Sequence, residues 1–113
     1  MAKWIDVGPT CAFPDGEHVC TDADEKPVVV LHLDGRFYAI ANICPHAGLP
    51  LGEGERRGFV LTCPFHGNAY NIKSGRNVDW PHDELPLKTY PVRVEGQTVQ
   101  VNLDAHSHDD ANQ

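Results

Sequence analysis

The chain predicts an all-β domain, and three observations carry that reading. Short apolar segments alternate with a period of two, turn signals punctuate them at close intervals, and no window of about ten residues combines a helical period with caps. Residues 27–33 (PVVVLHL) and 36–40 (RFYAI) flank Asp34-Gly35, a two-residue hairpin signal. Residues 90–94 and 98–103 flank Glu95-Gly96-Gln97; Val92 and Val94 share one face, and Val99, Val101 and Leu103 share another. Residues 3–7, 17–21 and 58–62 are further strand candidates.

At 113 residues the chain has material for one modest core. The expected division is a single domain over 1–104, with base strands in 1–42 and 79–104 around a Gly/Pro-rich insert at 43–78. The stretch 105–113 holds no apolar residue larger than Ala and reads as a disordered tail. A net charge of −7, from 16 acidic against 9 basic residues with no Lys/Arg cluster, disfavours nucleic acid as a partner. The opening MAKWIDVGPT lacks the apolar core of a signal peptide. The apolar run at 28–31 is far too short to span a bilayer. A cytoplasmic protein with no membrane association is expected. Cys11 and Cys20 then read as free thiols, although pairing between them stays open.

The chemistry concentrates in CPHAGLPLGEGERRGFVLTCPFH, where Cys44 is followed by His46 and Cys63 by His66. Both pairs fall just after apolar segments, at the tips of two loops. Structural zinc is one use for such a set, but zinc sites usually pair Cys with Cys and His with His. Here each pair is mixed, as C-x-H then C-x2-H. A binuclear iron–sulfur cluster gives that mixture a logic, with two thiolates on one iron and two imidazoles on the other.

At this point the sequence resembles the Rieske family, whose signature matches here as C-x-H-x16-C-x2-H. The resemblance covers most of the chain. It takes in Gly48, His66-Gly67, Tyr70, Ser74-Gly75, the Pro-containing loop 79–86 and the closing hairpin. It implies a Rieske-type fold: a small antiparallel β-sandwich or barrel base with an inserted cluster-binding subdomain of loops and short strands. It also implies one [2Fe–2S] cluster on Cys44, His46, Cys63 and His66. Two ferric ions, two sulfides and two thiolates sum to zero charge, so an electron enters more readily than it enters a four-Cys dianion.

The high-potential branch of the family has an extra Cys in each loop, forming a staple; Leu49 and Phe65 stand at those places here. Asn68 replaces that branch's Ser. A potential toward the low end of the family is therefore expected. Tyr70 is expected to aim its hydroxyl at the Cys63 thiolate or else to serve as a core aromatic. Trp80 and Pro81 are expected to cover the cluster from the third loop. Glu53, Glu55, Arg56 and Arg57 read as a solvated turn, and His18 and His32 as satisfied structural residues in strands.

With no place for a mononuclear iron, the chain is not expected to be an enzyme. The resemblance implies a stand-alone, monomeric ferredoxin, an electron-transfer component that takes electrons from a flavoprotein or other reductase and passes them to a terminal oxygenase. The alternatives are the small subunit of an assimilatory nitrite reductase and, from a different class, a zinc-stapled interaction module.

Overall fold

The structure is a computed structural model that describes residues 4–45, 48, 50–64, 67–79 and 86–103. The described residues form ten strands and one 3-10 turn, Thr10–Ala12: β1 Trp4–Pro9, β2 Glu17–Ala23, β3 Lys26–Leu33, β4 Arg36–Ala41, β5 Glu55–Arg57, β6 Val60–Thr62, β7 Ala69–Asn71, β8 Thr89–Tyr90, β9 Val92–Glu95 and β10 Thr98–Asn102. They build three antiparallel sheets in the orders β1-β10-β9, β2-β3-β4-β8 and β5-β6-β7. Among the described residues no helix is long and apolar enough to cross a membrane.

The four-stranded sheet is the middle layer, and β3 shows why. Successive side chains of a strand point to opposite faces. Val28 and Val30 go to one side, with Phe13, Ala23, Ala39, Tyr90, Val99, Val101 and Leu103. Val29, Leu31 and Leu33 go to the other, with Ile40, Cys44, Leu51, Leu61, Cys63, Tyr70, Ile72 and Leu87. A strand covered on both faces reads as a continuous apolar run, which is how PVVVLHL looks. The first core joins the middle sheet to β1-β10-β9, and the second joins it to the small sheet β5-β6-β7.

The hairpin at Asp34-Gly35 forms as expected, with both residues at positive φ (54° and 77°), the backbone that matches strand twist. The β2–β3 turn uses the same conformation at Asp24 and Glu25 (52° and 69°), where no Gly or Asn announces it. The strand expected at 90–94 divides at Pro91. Tyr90 pairs with Ala39 in the middle sheet, and Val92 pairs with Val101 in the outer one. Proline has no N–H for a ladder, so the chain changes sheets there. The expected solvated turn at 53–57 is corrected in part: Glu55–Arg57 is strand β5, paired with β6. Only three residues long and wholly charged, it offers no apolar alternation to read.

His18 and His32 are satisfied, as expected. His32 Nδ1 donates to the Phe13 carbonyl at 2.8 Å, and its ring stacks on Phe37 with centroids 4.1 Å apart. His18 Nε2 donates to the Gly52 carbonyl at 2.9 Å.

Candidate metal centre

The first ligand loop begins where β4 leaves the middle sheet. The Ala41 N–H bonds the Lys88 carbonyl and the Asn42 N–H bonds the Pro27 carbonyl, so the chain is fixed on both sides just before Cys44. The second begins at the end of β6 and returns into β7, an ordinary hairpin root with Thr62 opposite Ala69. The two loops share one backbone bond and one glycine conformation. The Gly48 N–H bonds the Cys44 carbonyl at 2.8 Å, and the Gly67 N–H bonds the Cys63 carbonyl at 3.1 Å. Each glycine lies at positive φ, 68° and 75°, a conformation that a Cβ penalises. In sequence, His46 and His66 fall inside these turns; both lie outside the described residues.

Cys44 and Cys63 are 0% and 1% exposed, lie in one core cluster, and are not joined to each other. Two buried thiols in one core cluster, each followed in sequence by a His two or three residues on, fit a binuclear iron–sulfur cluster. Such a donor set would be two soft anionic sulfurs and two neutral nitrogens, with the apolar Leu51, Leu61 and Ile72 packed in the same cluster as the thiols.

Tyr70 is fully buried on β7, and its hydroxyl lies 3.9 Å from Cys44 Sγ. The expected thiolate partner was Cys63, so the observed one is on the opposite loop. The pairing follows from register, since Tyr70 faces Leu61 across the β6–β7 pair and so points back across the core toward the first loop. Asn68 accepts the Cys63 N–H through its main-chain carbonyl at 2.7 Å, and its side-chain oxygen faces Asn77 Nδ2 at 3.4 Å. Trp80 and Pro81 lie outside the described residues.

Several residues at the site went unnoticed in the sequence. Asn42 Oδ1 accepts the N–H groups of Leu51 and Gly52 at 2.8 and 2.7 Å, closing the first loop. A Cβ on Gly52 would meet Cys20 Sγ at 2.3 Å, and a Cβ on Gly54 would meet the Thr62 carbonyl oxygen at 1.8 Å. The signals were available: an Asn at a strand end before a Gly/Pro-rich loop suggests a side-chain cap, and Gly-Glu-Gly suggests close backbone approach. Cys20 stays exposed as a residue while its sulfur leans on Gly52. Burial pushes its thiol pKa up, the Glu53 carboxylate adds to that, and a hydrogen bond with the Asn42 side chain opposes both.

Comparison with known proteins agrees with this construction. Residues 3–91 match the Rieske [2Fe-2S] domain family model. The chain is 31% identical over 101 residues to the ferredoxin component of the naphthalene 1,2-dioxygenase system of Pseudomonas aeruginosa, covering 89% of this chain and 96% of that one. Among solved structures, the ferredoxin of carbazole 1,9a-dioxygenase from Nocardioides aromaticivorans IC177 superposes with a TM-score of 0.79 at 26% identity, over 89% of this chain and 98% of that chain. A ferredoxin solved in complex with its oxygenase, from a carbazole 1,9a-dioxygenase, gives 0.77 at 30% identity, over 88% of this chain and 92% of that chain. A single Rieske [2Fe–2S] cluster is the cofactor these matches imply, and the chain belongs to the Rieske [2Fe-2S] domain family.

Proposed function

We propose that this protein is a one-electron carrier that takes electrons from a reductase and delivers them to a terminal oxygenase. Cys44 and Cys63 hold one iron of its cluster, and His46 and His66 hold the other. The carrying observation is the matching pair of backbone bonds, Gly48 to Cys44 and Gly67 to Cys63, on loops that bring two buried thiols into one core cluster from separate sheets. The bound group supplies a reversible one-electron couple. The chain contributes a water-poor sulfur side and a frame tied at many points. It performs no substrate chemistry of its own, and a single copy suffices, because one chain provides all four ligands. The relative solved in complex with its oxygenase supports an oxygenase as acceptor, and the net charge of −7 suits a partner with a basic docking face.

The test is the purified protein itself. About two iron and two acid-labile sulfides per chain, with a red-brown colour and a rhombic electron paramagnetic signal on reduction, are expected for this cluster type. A colourless protein holding one zinc per chain overturns the reading in favour of a stapled interaction module. Electron delivery to the oxygenase should also slow as salt rises, since exposed charges are screened over about 8 Å at physiological ionic strength.

A further inference from the structure

We infer that Asn42 is a positioning residue for the cluster, a clasp that closes the loop carrying Cys44. The inference rests on the ligand assignment proposed above. The first loop cannot be closed by strand pairing. At its start, β4 is bonded to Pro27 and Lys88, and neither neighbour belongs to the stretch at 51–52 to which the loop returns. The Asn42 carboxamide fills that gap, taking both the Leu51 and Gly52 N–H groups on one oxygen. Leu51 is fully buried and Gly52 is buried too, so without Asn42 two amides would lose their partner where water does not replace it.

The same segment is held from its other side. His18, on β2, donates Nε2–H to the Gly52 carbonyl at 2.9 Å, and both its neutral Nε2–H tautomer and its cation can do so. The absence of a side chain at Gly52 lets it lie against Cys20 Sγ and Val29. The segment that closes the loop is thus gripped at two N–H groups and one C=O by the middle sheet. Leu51 lies in the same packed cluster as Cys44, so loosening the clasp moves the wall against which the first thiolate sits.

The experiment compares wild type, Asn42→Ala and Asn42→Asp as cluster-loaded proteins. It reads amide hydrogen exchange residue by residue and the half-time of cluster loss to an iron chelator. Asn42→Ala should speed exchange at Leu51 and Gly52 by about tenfold or more, leave Val99 and Val101 in β10 unchanged, and shorten the cluster half-time. Asn42→Asp keeps the accepting oxygen and should restore both. Wild-type exchange at Leu51 and Gly52 in Asn42→Ala overturns the inference, as does equal acceleration in β10, which would mark a general loss of stability. Failure of Asn42→Asp to rescue also overturns it. If Asn42→Ala cannot be isolated folded, His18→Ala should give the same local pattern at smaller amplitude, and uniform acceleration there is again a negative result. A wild-type protein without an iron–sulfur cluster removes the ligand assignment, yet the exchange pattern still decides whether Asn42 clasps the loop.

Discussion

The loops that carry Cys44 and Cys63 share one backbone bond, from the glycine four residues on, but are rooted in different chemistry. The second stands on a hairpin, with Thr62 paired to Ala69 and the Cys63 N–H bonded to the Asn68 carbonyl, so the backbone alone defines its shape. The first leaves a strand of one sheet and returns beside a different element, so a side chain, Asn42, has to close it. A hairpin is a local structure that its own sequence can specify. A clasped loop needs a side chain held beside the base sheet, as Asn42 is by its N–H on the Pro27 carbonyl. The centre therefore joins a self-sufficient half to a dependent one.

Removing a ligand is the strongest way to probe that difference. Cys44→Ser and Cys63→Ser should each abolish bound iron and labile sulfide. Cys44→Ser should also raise exchange across 50–54, whereas Cys63→Ser should leave the β6–β7 pairing protected. Equal disruption of both loops in both variants would erase the distinction. A large effect is next expected from Gly54→Ala. Its Cβ would meet the Thr62 carbonyl, a main-chain atom that cannot swing aside, at the point where the back of the first loop touches the root of the second. Overpacking of this kind costs roughly 3 kcal/mol, readable as a lower urea midpoint. A wild-type midpoint would mean that the two roots are not in forced contact.

Gly48→Ala and Gly67→Ala test the likeness rather than the difference. Among the described residues nothing lies within 4 Å of either added Cβ, so the left-handed backbone is the penalty. Each should cost about 1–2 kcal/mol by chemical denaturation. Clearly unequal costs would show that the turns are not equivalent. The smallest effect is on the potential. Tyr70 reaches from the second half of the site to the thiol of the first, and a hydroxyl donated to a thiolate favours the more negative, reduced state. If about 1 kcal/mol of that bond differs between redox states, Tyr70→Phe should lower the midpoint by roughly 40 mV, given about 59 mV per tenfold for one electron. An unchanged midpoint would leave Tyr70 as packing alone.

The same contrast separates what the sequence reveals from what it conceals. The β3–β4 hairpin was legible because Asp34-Gly35 can scarcely do anything but turn. The mixed Cys/His spacing was legible because few cofactors use it, and His18 and His32 because strand-borne histidines in an apolar setting need backbone partners. Strand β5 was hidden by its charged sequence, and the change of sheet at Pro91 by an alternation that continues across it. The β2–β3 turn, built on Asp24 and Glu25, carries neither Gly nor Asn at its left-handed positions. Asn42 and the Tyr70–Cys44 contact were hidden for a deeper reason. Asn42 stands where a side-chain cap is plausible, but neither its partners at Leu51 and Gly52 nor the reach of Tyr70 to Cys44 follows until the segments are placed in space.

Arg56 bears on how fast such a carrier can work. Its guanidinium donates through Nη1 to the Gly58 carbonyl at 2.9 Å and through Nη2 to the Gly16 carbonyl at 2.6 Å. One planar, always-charged group thereby ties the small sheet to the turn leading into β2. With His18 held to Gly52 and Arg56 to Gly16, the insert is tethered to the base at two places, which opposes rocking. A frame that holds one shape before and after an electron arrives leaves few nuclei to rearrange. Low reorganisation energy lets a centre exchange electrons quickly with partners of nearly equal potential, so the driving force at each hand-over can stay small.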